Sequence, residues 1–190
     1  MVETSDEWIR ERTGIAERHV SVGETVVTLA SEAARKALEQ AGKRAEEIDL
    51  ILVATCSPEQ YLPCCACQVQ ADIGAVNALA FDVNAACSGF LFALNTADAY
   101  LRMGLAENAL IIGSEVLSKL VDWTDRGSCI LFGDGAGAVV VERCKAESRA
   151  VEEKQIPAAG ILGRALHSDG TGGGVLQCDA RELRLSLIHI

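Results

Sequence analysis

Aromatic residues are scarce in this chain of 190 residues: Phe, Tyr and Trp together make 4%. A core must therefore be built from Ala, Val, Leu and Ile, with small residues wherever elements meet closely. Basic residues fall short of acidic ones, 17 Lys and Arg against 27 Asp and Glu, leaving a net charge of −10. That balance argues against a nucleic-acid groove, which needs a basic stripe. No apolar run reaches the ~20 residues of a membrane-spanning helix. The charged start MVETSDEWIRERTG lacks the apolar stretch of a signal peptide. The default is a cytoplasmic protein with no membrane partner, whose eight cysteines are reduced. Histidine is also sparse: His19, His167 and His189 are not paired by spacing. Cys64, Cys65 and Cys67 sit close together but lack a second ligand pair, so no metal site is expected. They read as small residues on a helix face.

What is present centres on Asp82 to Phe92, DVNAACSGFLF. Ala80, Phe81 and Val83 form an apolar run of strand type. Leu91, Leu94 and Ala97 then recur at helical spacing. Cys87 falls at the junction, among Ala85, Ala86, Ser88 and Gly89, which let a substrate and neighbouring backbone approach closely. A thiol at the start of a helix faces unpaired N–H groups and the positive end of the helix dipole. Such a setting favours the thiolate, the nucleophilic form. The same residues also suit a small buried cysteine at a helix start.

Around this stretch, strands and helices alternate. Thr4 and Glu7 read as a capping box before a short helix that stops near Thr13 and Gly14. Trp8 and Arg12 are four residues apart on one face of it. With Arg10 and Arg18 nearby, they suggest an anion site with an aromatic platform. Glu24 and Thr25 open a second helix that Gly42 ends. Leu50 to Ala54 is an apolar run suited to a strand buried on both faces. Cys65 to Ile73 reads as a helix, Ala78 to Val83 as a strand and Ala109 to Gly113 as another. Such alternation implies parallel pairing with helices covering the sheet. A nucleophile at the carboxyl end of a strand is where sites in such sheets lie.

DWTDRGS, Asp122 to Ser128, reads as a polar loop. In CILFGDGAGAVVVERC the glycines at 133, 135 and 137 do not match a dinucleotide fingerprint, and a strand follows rather than a helix. They are expected to allow tight packing in a hairpin linking two strands. Ile156 to Leu166 suggests a further strand. The last six residues, LSLIHI, match one frame of a sequencing adapter, so 185–190 is expected to be read-through and the domain to span 1–184.

Taken together, TSDEWIRERTGIAERHV, FDVNAACSGFLFAL, DWTDRG and LFGDGAGAVV resemble β-ketoacyl-(acyl-carrier-protein) synthase III, the initiating condensing enzyme of bacterial fatty-acid synthesis. The resemblance runs from about Met1 to about Arg184. It implies an α/β fold of thiolase-like type. This chain would be the first half: a mixed, largely parallel sheet covered by helices, from a layered α-β-α-β-α structure. The half would be truncated at both ends, lacking the family's first strand and its entire second half. That second half supplies an active-site His and Asn, and no residue here takes those roles.

The resemblance assigns Cys87 as the nucleophile that accepts an acyl group from acyl-coenzyme A. It assigns Trp8 and Arg126 to the pair enclosing the adenine, and Arg12 and Thr13 to the coenzyme path. Phe132 would be a wall of the acyl pocket, and Leu62 a residue reaching across a homodimer to close the partner's pocket. The implied partners are acyl-coenzyme A, as substrate, and malonyl-acyl-carrier-protein; no cofactor is implied. The chain alone would lack condensation activity, because the donors for the enolate lie elsewhere. Other acyl-coenzyme A condensing enzymes, of hydroxymethylglutaryl or polyketide type, and a non-catalytic partner subunit are alternatives. A hydrolase elbow needs glycine two residues before the nucleophile, and Ala85 stands there.

Overall fold

The computed structural model describes residues 2–144, 160–172, 174, 176 and 178. The chain divides into two compact units, Met1–Glu153 and Lys154–Ile190. In the first, α1 is Asp6–Thr13, α2 Val26–Ala41, β1 Leu50–Ala54, α3 Cys65–Ile73, β2 Leu79–Val83, α4 Gly89–Met103, β3 Asn108–Val116 and β4 Asp134–Glu142.

The strands form one sheet in the order β2-β1-β3-β4. β1 runs parallel to both β2 and β3, and β4 lies antiparallel to β3. β1 is buried along its whole length, as its unbroken run LILVA requires of a strand covered on both faces. Its side chains divide by the pleat. Ile51 and Val53 join α2 and α3 in one core with Leu110 and Ile112. Leu50, Leu52 and Ala54 join α4 in the other, with Ala93, Ala97 and Ile111. Alanines make up half of the buried residues of α2 and of α4, side chains small enough to let a helix approach a sheet closely.

The helix ends follow local chemistry. Thr25 caps α2 by accepting from the Thr28 N–H, and Gly42 ends it in the left-handed region. α1 differs from the sequence reading by one residue: its N-cap is Ser5, whose hydroxyl accepts from the Trp8 N–H.

The glycine-rich segment departs further from expectation. Cys129 to Leu131 forms turns rather than the first arm of a hairpin, and Phe132 carries no strand. β4 already begins at Asp134 and pairs with β3 over nine positions, so Gly135 and Gly137 lie inside a strand. The carbonyls of Cys129, Ile130 and Phe132 are taken by Arg18, which leaves them unavailable to a ladder.

In the second unit, Gly170–Gly172 forms a single 3₁₀ turn whose Thr171 donates to Asp169. Residues 160–166 carry no strand, and Leu162 and Leu166 are exposed. Residues 156–159, the end of the proposed domain and the suspected read-through at 185–190 lie outside the described residues. No helix among the described residues is long and apolar enough to cross a membrane.

Candidate active site

β2 ends at Val83, and α4 starts at Gly89, with a 3₁₀ turn over Ala86–Ser88 between them. Cys87 occupies that turn and is exposed. The turn is held by Ser88 N–H donating to the Ala85 carbonyl and Gly89 N–H donating to that of Ala86. Ala86 N–H faces the Asn84 side-chain oxygen at 3.4 Å. None of these bonds uses the N–H of Cys87. The α4 N-cap, Ser88, makes no side-chain capping bond, so the amides of the first turn are not covered by it.

Two backbone features build this junction. Ala86 has φ 46°, the one non-glycine among the described residues in the left-handed region. The conformation costs a side-chain-bearing residue roughly 1–2 kcal/mol and throws the next residue, Cys87, outward. Strain of this kind concentrates at functional turns. It has no signature in the letters Ala-Ala-Cys, so sequence reasoning missed it. Gly89 is the second feature. A Cβ there would lie 3.2 Å from the Ala54 Cβ. The start of α4 thus seats directly on the carboxyl end of β1, as expected from the small residues around Cys87.

Leu62 and Phe132 lie at the same, carboxyl, end of the parallel strands, one after β1 and the other before β4, whose first residue pairs with the last of β3. The loop after β1 carries Leu62, which is 79% exposed. Glu59 anchors that loop. Its carboxylate accepts from the Val26 N–H at 3.0 Å and pairs with Lys119 at 2.8 Å. Burial opposes ionisation of Glu59, but the Lys119 ammonium and the Val26 N–H outweigh it and hold the carboxyl below its ordinary range.

Asp134, where β4 begins next to Phe132, works alike. It accepts from Ser21 N–H at 2.7 Å and from Ser118 N–H at 2.9 Å and Oγ at 2.6 Å. Burial pushes it up, and these donors more than reverse the effect. Phe132 itself is half-buried. Its loop is clamped by Arg18, whose Nη1 donates to the Cys129 carbonyl at 2.7 Å and whose Nη2 donates to that of Ile130 at 2.5 Å. Arg18, read as part of an anion site, therefore binds backbone carbonyls instead. Its spacing from residues 129–132 gave no hint of this contact.

Trp8, Arg12 and Arg126 come together across 118 residues of sequence. The Arg126 guanidinium carbon lies 3.8 Å from the Trp8 ring centroid and that of Arg12 4.3 Å. Arg126 sits in the exposed loop where Asp125 accepts from Gly127 and Ser128. Arg10 instead pairs with Asp6 at 2.7 Å. Thr13 is half-buried, and its hydroxyl serves its own helix end, donating to the Ile9 carbonyl and accepting from the Ile15 N–H. No cluster of three or more metal-ligating side chains occurs among the described residues.

Residues 81–170 match the family model for 3-oxoacyl-(acyl-carrier-protein) synthase III. The chain is 52% identical over 180 residues to the β-ketoacyl-(acyl-carrier-protein) synthase III of Clostridium acetobutylicum, covering 95% of this chain and 52% of that one. It is 53% identical over 180 residues to that of Novosphingobium aromaticivorans, covering 94% and 54%. It superposes on the crystal structure of 3-oxoacyl-(acyl-carrier-protein) synthase III from Aquifex aeolicus with a TM-score of 0.74 at 52% identity, over 75% of this chain and 46% of that one. The priming β-ketosynthase of the R1128 polyketide pathway gives 0.73 at 38% identity, over 75% and 43%. The chain spans about half the length of the curated relatives it matches.

Proposed function

We propose that this chain, which belongs to the β-ketoacyl-(acyl-carrier-protein) synthase III family and has its thiolase-like fold, carries the acyl-accepting half-site of a condensing enzyme. The observation that carries the reading is Cys87, exposed on a strained turn between a strand end and a helix start, inside the stretch matched by the family model. The Cys87 thiolate attacks the carbonyl carbon of an acyl-coenzyme A. A carbon–sulfur bond to Cys87 forms, and the bond to the coenzyme sulfur breaks, releasing coenzyme A. The Cys87 N–H, which makes none of the bonds that hold the turn, is a donor for the oxyanion. The acyl group arrives as a thioester, already activated, so this transfer draws on no cofactor or metal.

In the second step malonyl-acyl-carrier-protein loses carbon dioxide, and the resulting carbanion attacks the acyl-enzyme. None of the described residues is assigned to the decarboxylation. Trp8 and Arg126 supply a ring and a guanidinium for the adenine of the coenzyme, Arg12 and Thr13 flank its path, and Phe132 walls the acyl pocket. Leu62, exposed on the loop anchored by Glu59, supports the expectation of a homodimer. A cytoplasmic location fits a synthase fed by soluble thioesters. The likeness to a priming β-ketosynthase supports a second reading, a condensing enzyme of polyketide type. Acyl preference separates the two.

The test is intact mass after exposure to acetyl-coenzyme A, on the longest natural reading frame containing the chain. One acetyl group on Cys87, lost in Cys87→Ala, supports the proposal; an adduct that persists in that variant refutes it.

A further inference from the structure

The cysteines of Pro63 to Gln68 take no part in the acyl transfer proposed above, and the fold separates them. Cys65 is buried in the core, whereas Cys64 and Cys67 stay half-buried. Cys64 is the N-cap of α3, and Cys67 sits three positions on. At those two positions side chains face one another, as in a capping box. The Cys64 side chain is near enough to be the leading cause that pushes the Cys67 thiol up, and the Cys67 thiol donates to the Ala80 carbonyl of β2 at 3.6 Å. α3 is the crossover helix between the parallel neighbours β1 and β2. The result is a Cys-x-x-Cys pair at the start of a helix in a βαβ unit, the setting in which paired thiols exchange with disulfides.

We propose that Cys64 and Cys67 form a reversible dithiol–disulfide site, separate from Cys87, that takes a low-molecular-weight disulfide as its oxidant. The Cys64 thiolate attacks one sulfur of the disulfide RSSR. The Cys64–SR bond forms, the S–S bond breaks, and one RS⁻ leaves. Cys67 then loses its proton and attacks the Cys64 sulfur, releasing the second RS⁻. The two protons given up by the cysteines end on the two RSH. The cysteines are oxidised by two electrons, and RSSR is reduced by two.

The division of roles follows the surroundings. The hydrogen bond with Cys64, burial, and the negative charges of Cys64 and Asp82 all push the Cys67 thiol up, which suits Cys67 to the second, resolving step. Asp82 also takes the N–H groups of Cys65 and Ala66, placing a negative charge where the helix start would otherwise favour thiolates. Exchange is therefore slower than at an unhindered surface thiol. The closed ring begins one residue after Pro63, so oxidation fixes the base of the loop that carries Leu62.

The experiment uses the longest natural reading frame in a Cys87→Ala background, which removes the proposed acyl-accepting thiol and makes the result independent of acyl transfer. The protein is incubated with oxidised glutathione, quenched in acid and mapped by mass spectrometry. In the peptide that holds Cys64 to Cys67, the expected result is a loss of about 2 Da, one disulfide, reversed by dithiothreitol, whatever glutathione the exposed Cys144 and Cys178 take up. Adding Cys67→Ala should trap one glutathione on Cys64, and adding Cys64→Ala should leave Cys67 unmodified over the same interval. The crosslink in the unsubstituted pair decides the matter if either variant fails to fold. A pair that stays reduced, a glutathione on Cys64 without a crosslink while Cys67 is present, or a crosslink that survives Cys64→Ala each overturns the proposal.

Discussion

The carboxylate of Asp82, on β2, accepts the backbone N–H of Cys65 at 2.8 Å, and its second oxygen accepts that of Ala66 at 2.7 Å. A residue five positions before Cys87 thus caps α3 from outside the helix, in place of the Cys64 side chain, which makes no capping bond. The strand that leads to the nucleophile and the helix that follows the Leu62 loop are tied at their ends. Asp82→Ala leaves two amide groups without their acceptor. Bonds to a charged group contribute about 1.5–3 kcal/mol each, and less than additively. A loss of about 2–3 kcal/mol of unfolding free energy, read as a lower urea midpoint, is expected, with Asp82→Asn losing less because its amide oxygen accepts one bond. Unchanged stability in Asp82→Ala would remove this cap from the account.

Cys65 is expected to be chemically silent and to make stability depend on pH at the alkaline end. Burial, and then the Asp82 charge, push its thiol up to about 12. The unfolded chain releases that proton from about pH 8.5 upward, while the folded chain keeps it. The unfolded state therefore binds fewer protons between the two values, and stability falls as pH rises through that window. In Cys65→Ala the fall between about pH 9 and 12 should be shallower than in the parent. Denaturant titrations at stepped pH test this, and parallel slopes in the two proteins would count against it. Brief alkylation at pH 8 should label the exposed Cys87 well before Cys65.

Arg18 holds the Phe132 loop by its backbone, so its loss should act on the acyl pocket and on the fold together. Arg18→Met removes charged donors from the carbonyls of Cys129, Ile130 and Phe132. The expected cost is about 2–3 kcal/mol, with a broadened preference for acyl length in the Cys87 acylation assay. Arg18→Lys should recover only part, because an ammonium lacks the planar fork that reaches several carbonyls. Full recovery by lysine would show that charge alone matters.

Arg126 and Trp8 are expected to set affinity rather than rate. Arg126→Ala removes a guanidinium 3.8 Å from the indole. In the proposed complex that guanidinium lies over the adenine instead, and at an exposed site such a contact is worth about 0.5–1 kcal/mol. KM for acetyl-coenzyme A should rise about two- to fivefold, with the rate of Cys87 acylation at saturation little changed. A large fall in that saturated rate would instead put Arg126 in the chemical step.

Ala86→Gly should relieve the left-handed strain before Cys87. The roughly 1–2 kcal/mol released exceeds the entropy that glycine adds to the unfolded chain, for a net gain of up to about 1 kcal/mol. Acylation should slow, because the turn that presents the sulfur loosens. Ala86→Val should destabilise, since a branched side chain tolerates this region worst. A stabilising valine would show the strain is not there.

Much of this was legible in the chain before any coordinates. The bounds of β1 and α3 and the Gly42 stop of α2 were read as they stand, because each rests on neighbours in sequence: an apolar run, a helical period, a glycine that accepts positive φ. Cys87 was singled out for the same reason, as one letter at a strand-to-helix handover. The sequence also held Trp8 and Arg12, four residues apart on one helix.

Other features were decided only by the tertiary structure. Arg18 reaching three carbonyls more than a hundred residues away, Asp82 capping a helix that precedes it, and β4 starting at Asp134 rather than after the glycines are all long-range pairings. The left-handed turn at Ala86 belongs with them. A residue adopts it against its own preference only when packing on both sides, here Gly89 on Ala54, leaves no other path for the chain. Local preferences act through neighbouring residues and can be read in order. Contacts that close long loops are chosen by the whole fold, and only the fold records them.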